Sequence, residues 1–170
     1  MPVKTIENKI YLGGEITEDL CSDFFAQFSK LELTQPEIWC IMHGSMGGNF
    51  ATAGSPMMDL VLGSHRHIYM VGMGEICSSA ALLWLCGDTR YLSNRSLLMF
   101  HKGSVPVEEI DAGEFSKMSD IIEQQHQQDI SFLVERSLKG PKFWEDKLKS
   151  DYYIFPDEAI RLGLCHYLEN

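Results

Sequence analysis

The chain has 170 residues, of which 45% are hydrophobic and 22% charged, an ordinary globular composition with enough apolar mass for a real core. Its formal net charge of −10 and the lack of any Lys/Arg-rich run argue against binding a phosphate backbone, so no nucleic-acid partner is expected. The longest apolar stretch, Ala80 to Cys86, is too short to span a bilayer, and the opening MPVKTIENK has no apolar centre of the kind a signal peptide carries.

Ile10-Tyr11-Leu12, ahead of Gly13-Gly14, reads as a short strand. TEDLCSDFFAQFSKLE follows as a helix, with Thr17 as N-cap and Glu18 and Asp19 where acids suit the helix dipole. Leu20, Phe24, Phe25 and Phe28 give it an apolar face at helical spacing. The continuous run 38–43 (IWCIMH) reads as a strand covered on both faces, 43–49 as a turn, and Ala53 to Leu62 as a helix. HIYMVGM (67–73) is a second buried strand, and SSAALLWLC a buried helix after it. The stretch 90–102 is strand-rich, and Glu114 to about Leu138 forms a long helix with Phe115, Met118, Ile122 and Ile130 among its apolar positions. A helix starting with Pro141, a turn over YYIFPDEA, a helix over 156–164 and a last strand complete the chain. Strands alternating with helices imply an α/β fold of repeated βαβ units, and the lack of a repeat or a Pro/Gly-rich linker implies one domain over 1–170. Five cysteines with no CxxC spacing suggest reduced thiols in a cytoplasmic setting, with Cys40, Cys77 and Cys86 packed in apolar segments.

Two glycine-rich turns can bring backbone close to a ligand. Gly47-Gly48 is not a phosphate loop, since the GxxxxGK[ST] pattern is missing, and by itself it reads as a plain turn. The second, Gly72 to Ser78, leads from a strand into a helix. Read locally, Ser78 is a small helix N-cap; the alternative is a nucleophile, for which such a junction is well suited. A serine nucleophile needs a base and a group to orient it. His65 and His67 read as surface residues, and His126, in EQQHQQD, as part of a solvated or interface helix face. His101 differs, because it closes the apolar run LLMF at a strand end. Asp151 also sits at a transition, between KLKS and the YYIFPDEA turn.

Taken together, IYLGGEI (10–16), MHGSMGGNFATAG (42–54), MGEICSSAALLWLCG (73–87), RYLSNRSLLMFH (90–101) and DYYIFPDEAIRLGLCHYL (151–168) resemble, in order, the blocks of the Clp protease proteolytic subunit (ClpP) family. The resemblance implies a ClpP/crotonase-like fold with a long protruding handle helix over Glu114–Leu138. It implies a serine endopeptidase acting on peptides or unfolded proteins, with Ser78 as nucleophile, His101 as general base and acid, and Asp151 as the orienting carboxylate. The backbone N–H groups of Gly48 and Ser79 would form the oxyanion hole. Gly47, Asn49, Phe50 and the strand entered at Lys102 would pair with an extended substrate. Two stacked heptameric rings and an AAA+ unfoldase partner are implied as well; no metal or organic cofactor is. Side-chain directions agree with these assignments. Neighbours on a helix turn diverge, so Ser78 and Ser79 do not share a cleft, and alternation on a strand turns Lys102 away from the side on which His101 faces Ser78.

Several features depart from the family pattern. The chain starts almost at its first strand, which suggests a compact member without the axial-loop segment and leaves dependence on an unfoldase open. One extra residue lies between Gly48 and Gly54, and Ser45-Met46 and Lys102-Gly103 replace the usual Ser-Pro and Gln-Pro. Glu75 is an unusual charge in the nucleophile turn; it reads first as paired with an Arg or backbone donors, and otherwise as a charge that shapes substrate preference or shifts His101. The rivals are a catalytically inactive ring scaffold and a crotonase-type acyl-CoA enzyme, the latter disfavoured by the full Ser-His-Asp set.

Overall fold

The computed structural model describes residues 3–103 and 112–169. Strands β1 (Lys4–Ile6), β2 (Lys9–Gly13), β3 (Glu37–Ser45), β4 (His67–Cys77), β5 (Thr89–Ser93), β6 (Leu97–Phe100), β7 (Tyr152–Ile154) and β8 (Tyr167–Glu169) join in a single sheet. Helices α1 (Glu18–Thr34), α2 (Ser55–Leu62), α3 (Ser79–Leu85), α4 (Ala112–Glu135), α5 (Pro141–Lys147) and α6 (Pro156–Leu162) connect them. Thr17 caps α1 as expected, its hydroxyl oxygen accepting the Leu20 N–H at 3.2 Å. The sheet runs β1-β2-β3-β4-β5-β8, parallel from β2 to β8, with β1 antiparallel at the edge. This is the expected α/β architecture of βαβ units.

The central strand β4 serves two neighbours in turn. Tyr69–Gly72 pair with β5, and Glu75–Cys77 pair with β6, which itself pairs antiparallel with β7. The change of partner falls at Gly74, whose φ of +72° favours glycine; the adjoining β3 shifts register at Gly44, φ +54°. Sequence reading ended β4 at Met73 because the glycines there resemble a turn. They bend the strand instead, and the bend aims its last residues toward β6 and the end of the sheet that carries Ser78.

Phe24 and Phe28 of α1, Met57 and Val61 of α2, and Leu83 and Trp84 of α3 are buried in one core with Ile38, Cys40, Met42, Ile68 and Met70 of the sheet. All five cysteines are free and buried. The expectation that 38–43 is covered on both faces is corrected. Burial alternates along β3, and its other face is half-exposed, carrying Trp39 in a row with Tyr69, Tyr91 and Tyr167. Trp39 stacks on Tyr69 at 4.2 Å between ring centroids and Tyr91 on Tyr167 at 5.2 Å, so ring-on-ring contact supplies part of the cover a helix would give. Arg90 ties the far side together. Its buried guanidinium donates to the carbonyls of Leu164, Gly87, Arg136 and Gly163, and burial lowers its pKa to about 10.

Helix α4 is the expected handle. Its first turns expose Phe115 and Ile121, whereas Ile130 and Leu133 near its end are buried. His126 corrects the reading of a solvated face: it is buried, with Nδ1 unpartnered among the described residues. The segment read as a turn over YYIFPDEA begins with β7, whose three residues are too few to show a period. No described helix is long and apolar enough to cross a membrane.

Candidate active site

Ser78 stands between the last residue of β4 and the first of α3, at φ +55° and ψ −129°, a left-handed conformation that a residue with a Cβ rarely adopts. Its backbone is held from both directions. The Ser78 N–H donates to the Met99 carbonyl of β6 at 2.8 Å, and its own carbonyl accepts from Ala81 and Leu82. The local N-cap reading is right about position and wrong about the side chain: Ser78 makes no capping bond. The hydroxyl points instead at the imidazole of His101, one residue past β6, with Oγ and Nε2 2.7 Å apart. Ser79, next in the chain, turns inward and is buried, its hydroxyl donating to the Gly48 carbonyl at 3.4 Å. Both serines line one cleft, which corrects the expectation that they would not share it, although their hydroxyls take different partners.

The Gly47-Gly48 turn lies directly against the serine. A Cβ on Gly47 would come within 2.7 Å of the Ser78 Cβ and 3.2 Å of its Oγ, and Gly47 has φ +94°. The turn is pinned from its other side by Ile16, whose N–H donates to the Gly47 carbonyl at 2.8 Å and whose carbonyl accepts the Asn49 N–H at 2.9 Å. Those bonds use the groups on either side of Gly48 and leave its own N–H out of the ladder. The Ser79 N–H is one of the donors that a helix start leaves unpaired.

The chain from Phe50 to Gly54 winds as a π-helical turn, with Gly54 N–H donating to Asn49 and Ser55 N–H to Phe50, five residues back in each case. A π turn absorbs one residue more than an α turn and is frequent at functional sites. The helix expected from Ala53 thus starts its winding at Phe50. The Asn49 side chain is engaged with its own element, Oδ1 accepting from Thr52 N–H and Nδ2 donating to Glu18. The Thr52 hydroxyl also meets Glu18 and holds that exposed carboxyl below its ordinary range.

A cleft of about 720 Å³ opens here, with Gly48, Asn49 and Phe50 on one wall, Ser78 and His101 at its edge, and α4 across from them. Lys102 is not part of its lining; it is exposed and pairs with Glu123 of α4 at 2.5 Å. The strand expected after His101 lies mostly in 104–111, outside the described residues.

Asp151 precedes β7, in which Tyr152 pairs with Phe100. Continuing that antiparallel register by one step sets Asp151 opposite His101, at neighbouring strand ends. The carboxylate is exposed and makes no hydrogen bond or ion pair among the described residues. Glu75 is exposed, has no ion pair among them and does not line the cleft. Its charge, after burial, helps hold the Cys77 thiol above its ordinary range, which leaves the cysteine beside Ser78 a poor nucleophile. Among the described residues no group of three or more His, Cys, Asp or Glu side chains is placed to hold a metal.

The family model described as Clp protease matches residues 3–168. The chain belongs to the Clp protease family. Its mixed α/β architecture, an eight-stranded sheet with six helices among the described residues, is consistent with the Clp protease fold. Within that family frame, Gln125, Asp129, Leu133 and Leu148 also line the cleft, and sequence reading did not find them. The three on α4 lie one helical turn apart, a spacing that marked a helix face but not what the face looks onto.

Proposed function

We propose that the chain is a serine-type endopeptidase of the Clp protease family. The observation that carries this is the 2.7 Å approach of the Ser78 hydroxyl to His101 Nε2, from a strained strand-to-helix junction packed against a Gly-Gly turn. With Nε2 unprotonated, the hydroxyl donates to it and His101 takes the proton as Oγ attacks the peptide carbonyl. The Gly48 and Ser79 N–H groups receive the negative charge on the carbonyl oxygen. The C–N bond then breaks, His101 hands its proton to the leaving amine, and an acyl-Ser78 ester remains. Water, deprotonated by His101, hydrolyses that ester and returns the proton to Ser78. Asp151, one register step from His101 and unbonded among the described residues, is assigned the orienting role: with its carboxylate turned to the ring it would accept from the Nδ1–H of His101, fixing the tautomer and favouring the imidazolium. The substrate is an extended peptide lying along the Gly48–Phe50 wall. The apolar side chains exposed on α4, Phe115 and Ile121, suit contact with further copies in a ring.

A fluorophosphonate probe tests the chemistry. Wild type labels at Ser78, Ser78→Ala does not label, and His101→Ala labels at least about a hundredfold more slowly. Absence of labelling in the assembled wild-type particle, sized by mass photometry, points instead to a non-catalytic ring scaffold.

A further inference from the structure

The cleft beside Ser78 is walled largely by Leu82, Phe100, Leu133 and Leu148, yet one carboxylate faces this apolar surface: Asp129 of α4. Its one polar partner among the described residues is Gln125, whose Nε2 donates to Oδ1 at 2.9 Å from one turn earlier. Neither ion pair of the described residues includes it, and 104–111, SVPVEEID, contains no Lys, Arg or His. Among the described residues no cation pairs with this carboxylate, which is partly stripped of water. Burial raises its pKa to about 6, so it is still ionised at pH 8.

An occupant that satisfies both halves of this surface has an aliphatic stem and a positive head. The stem lies along the leucines and Phe100, while the head bonds to Asp129 and to the Gln125 Oε1 that the amide leaves free. Norleucine or leucine would cover the carboxylate with hydrocarbon and leave it unpaired, and glutamate would repel it. Ser78 and His101 line the same cleft as Asp129, so a substrate side chain next to the reacting carbonyl is the one within reach of it. We propose that Asp129 is a specificity-determining residue that selects peptides presenting lysine or arginine at the bond Ser78 attacks. This rests on the serine-peptidase reading and deepens it.

The test uses peptidyl diphenyl phosphonates, which phosphonylate an active serine with loss of one phenol and here differ only in one side chain: lysine, arginine, norleucine or glutamate. Labelling rates are measured at pH 8 on the full chain, in wild type, Asp129→Asn and Asp129→Leu, beside a fluorophosphonate with no side chain. Wild type is expected to react about tenfold or more faster with lysine than with norleucine, and slowest with glutamate. In Asp129→Asn that ratio falls to about one, and in Asp129→Leu norleucine wins. Each ratio is taken within one protein, so a loss of folded fraction cancels. If the fluorophosphonate labels Ser78 but norleucine matches lysine, or if the ratio survives in Asp129→Asn, the specificity proposal is overturned while the peptidase reading stands. If the fluorophosphonate fails to label, the peptidase reading fails and this proposal goes with it.

Discussion

Replacing Ser78 by alanine and, separately, by glycine isolates the strain stored at the nucleophile. Both variants lose the hydroxyl and with it the bond to His101, so that loss cancels between them. They differ in the Cβ, which alanine keeps at φ +55° and ψ −129° and glycine does not. A side chain held in that region costs about 1–3 kcal/mol, whereas glycine adds unfolded-state freedom worth about 0.4–1 kcal/mol in the other direction. Ser78→Gly should therefore be more stable than Ser78→Ala by about 1–2 kcal/mol, a difference of roughly 2–6 °C in Tm for a domain of this size. Urea unfolding followed by tryptophan fluorescence measures it, with the fluorophosphonate confirming that neither variant labels. Equal stability, or a more stable alanine variant, would refute the claim that the strand-to-helix junction is strained and held there by its surroundings.

Asp129 makes a separate prediction about pH. Its carboxyl is raised from 3.8 to about 6 by burial, a difference that corresponds to about 3 kcal/mol of native-state cost once both states are ionised. The sign follows from the raised value: the cost is full above pH 6, falls between pH 6 and 4, and vanishes below. Asp129→Asn should accordingly stabilise the protein at pH 8 and leave it unchanged near pH 4, as read from urea midpoints at the two pH values. Arg90→Met leaves four carbonyls short of a donor and should lower stability by about 2–4 kcal/mol, checked by calorimetry. Gly47→Ala puts a Cβ against Ser78 at a positive φ, so fluorophosphonate labelling should drop about tenfold or more at temperatures where circular dichroism still shows the native fold. Asp151→Asn should lower kcat by about 10³–10⁴ with little change in KM, which steady-state peptide hydrolysis would show.

Much of the fold was legible because its signals are local and periodic. Thr17 with Glu18 and Asp19 marks the start of α1, the apolar spacing through Phe24 and Phe28 marks its buried face, and Pro141 and Pro156 open α5 and α6. What escaped depends on partners distant in the chain. A three-residue strand such as β7 exists only because Leu98 to Phe100 lie beside it. The half-exposed aromatic face of β3 and β4 is as apolar as a covered one, so composition along a single strand does not distinguish them. His126 sits in a polar run and is nonetheless buried, since α4 meets the body of the protein near its end.

The site shows the same division more sharply. His101 stood out because it closes an apolar run at a strand end, whereas Ser78 read locally as a helix cap and gained its candidate role from the family blocks; the fold brings the two together through the pairing of β4 with β6. The π turn over Phe50–Gly54 precedes the helix read from Ala53, and its winding follows once the chain is pinned at Ile16 and the helix must still reach the core at Met57. Asp129 gave no such signal. An aspartate four residues after a glutamine in the middle of a long polar helix reads as a solvated pair, and nothing within that helix distinguishes it from Glu123, which is exposed and bound to Lys102. The difference is one of place: Asp129 lines the cleft together with Leu82 and Phe100, from elements far earlier in the chain, and Glu123 does not. A residue such as Asp129 is thus defined by what the fold brings to stand with it around a cleft, and its own neighbours in sequence do not announce it.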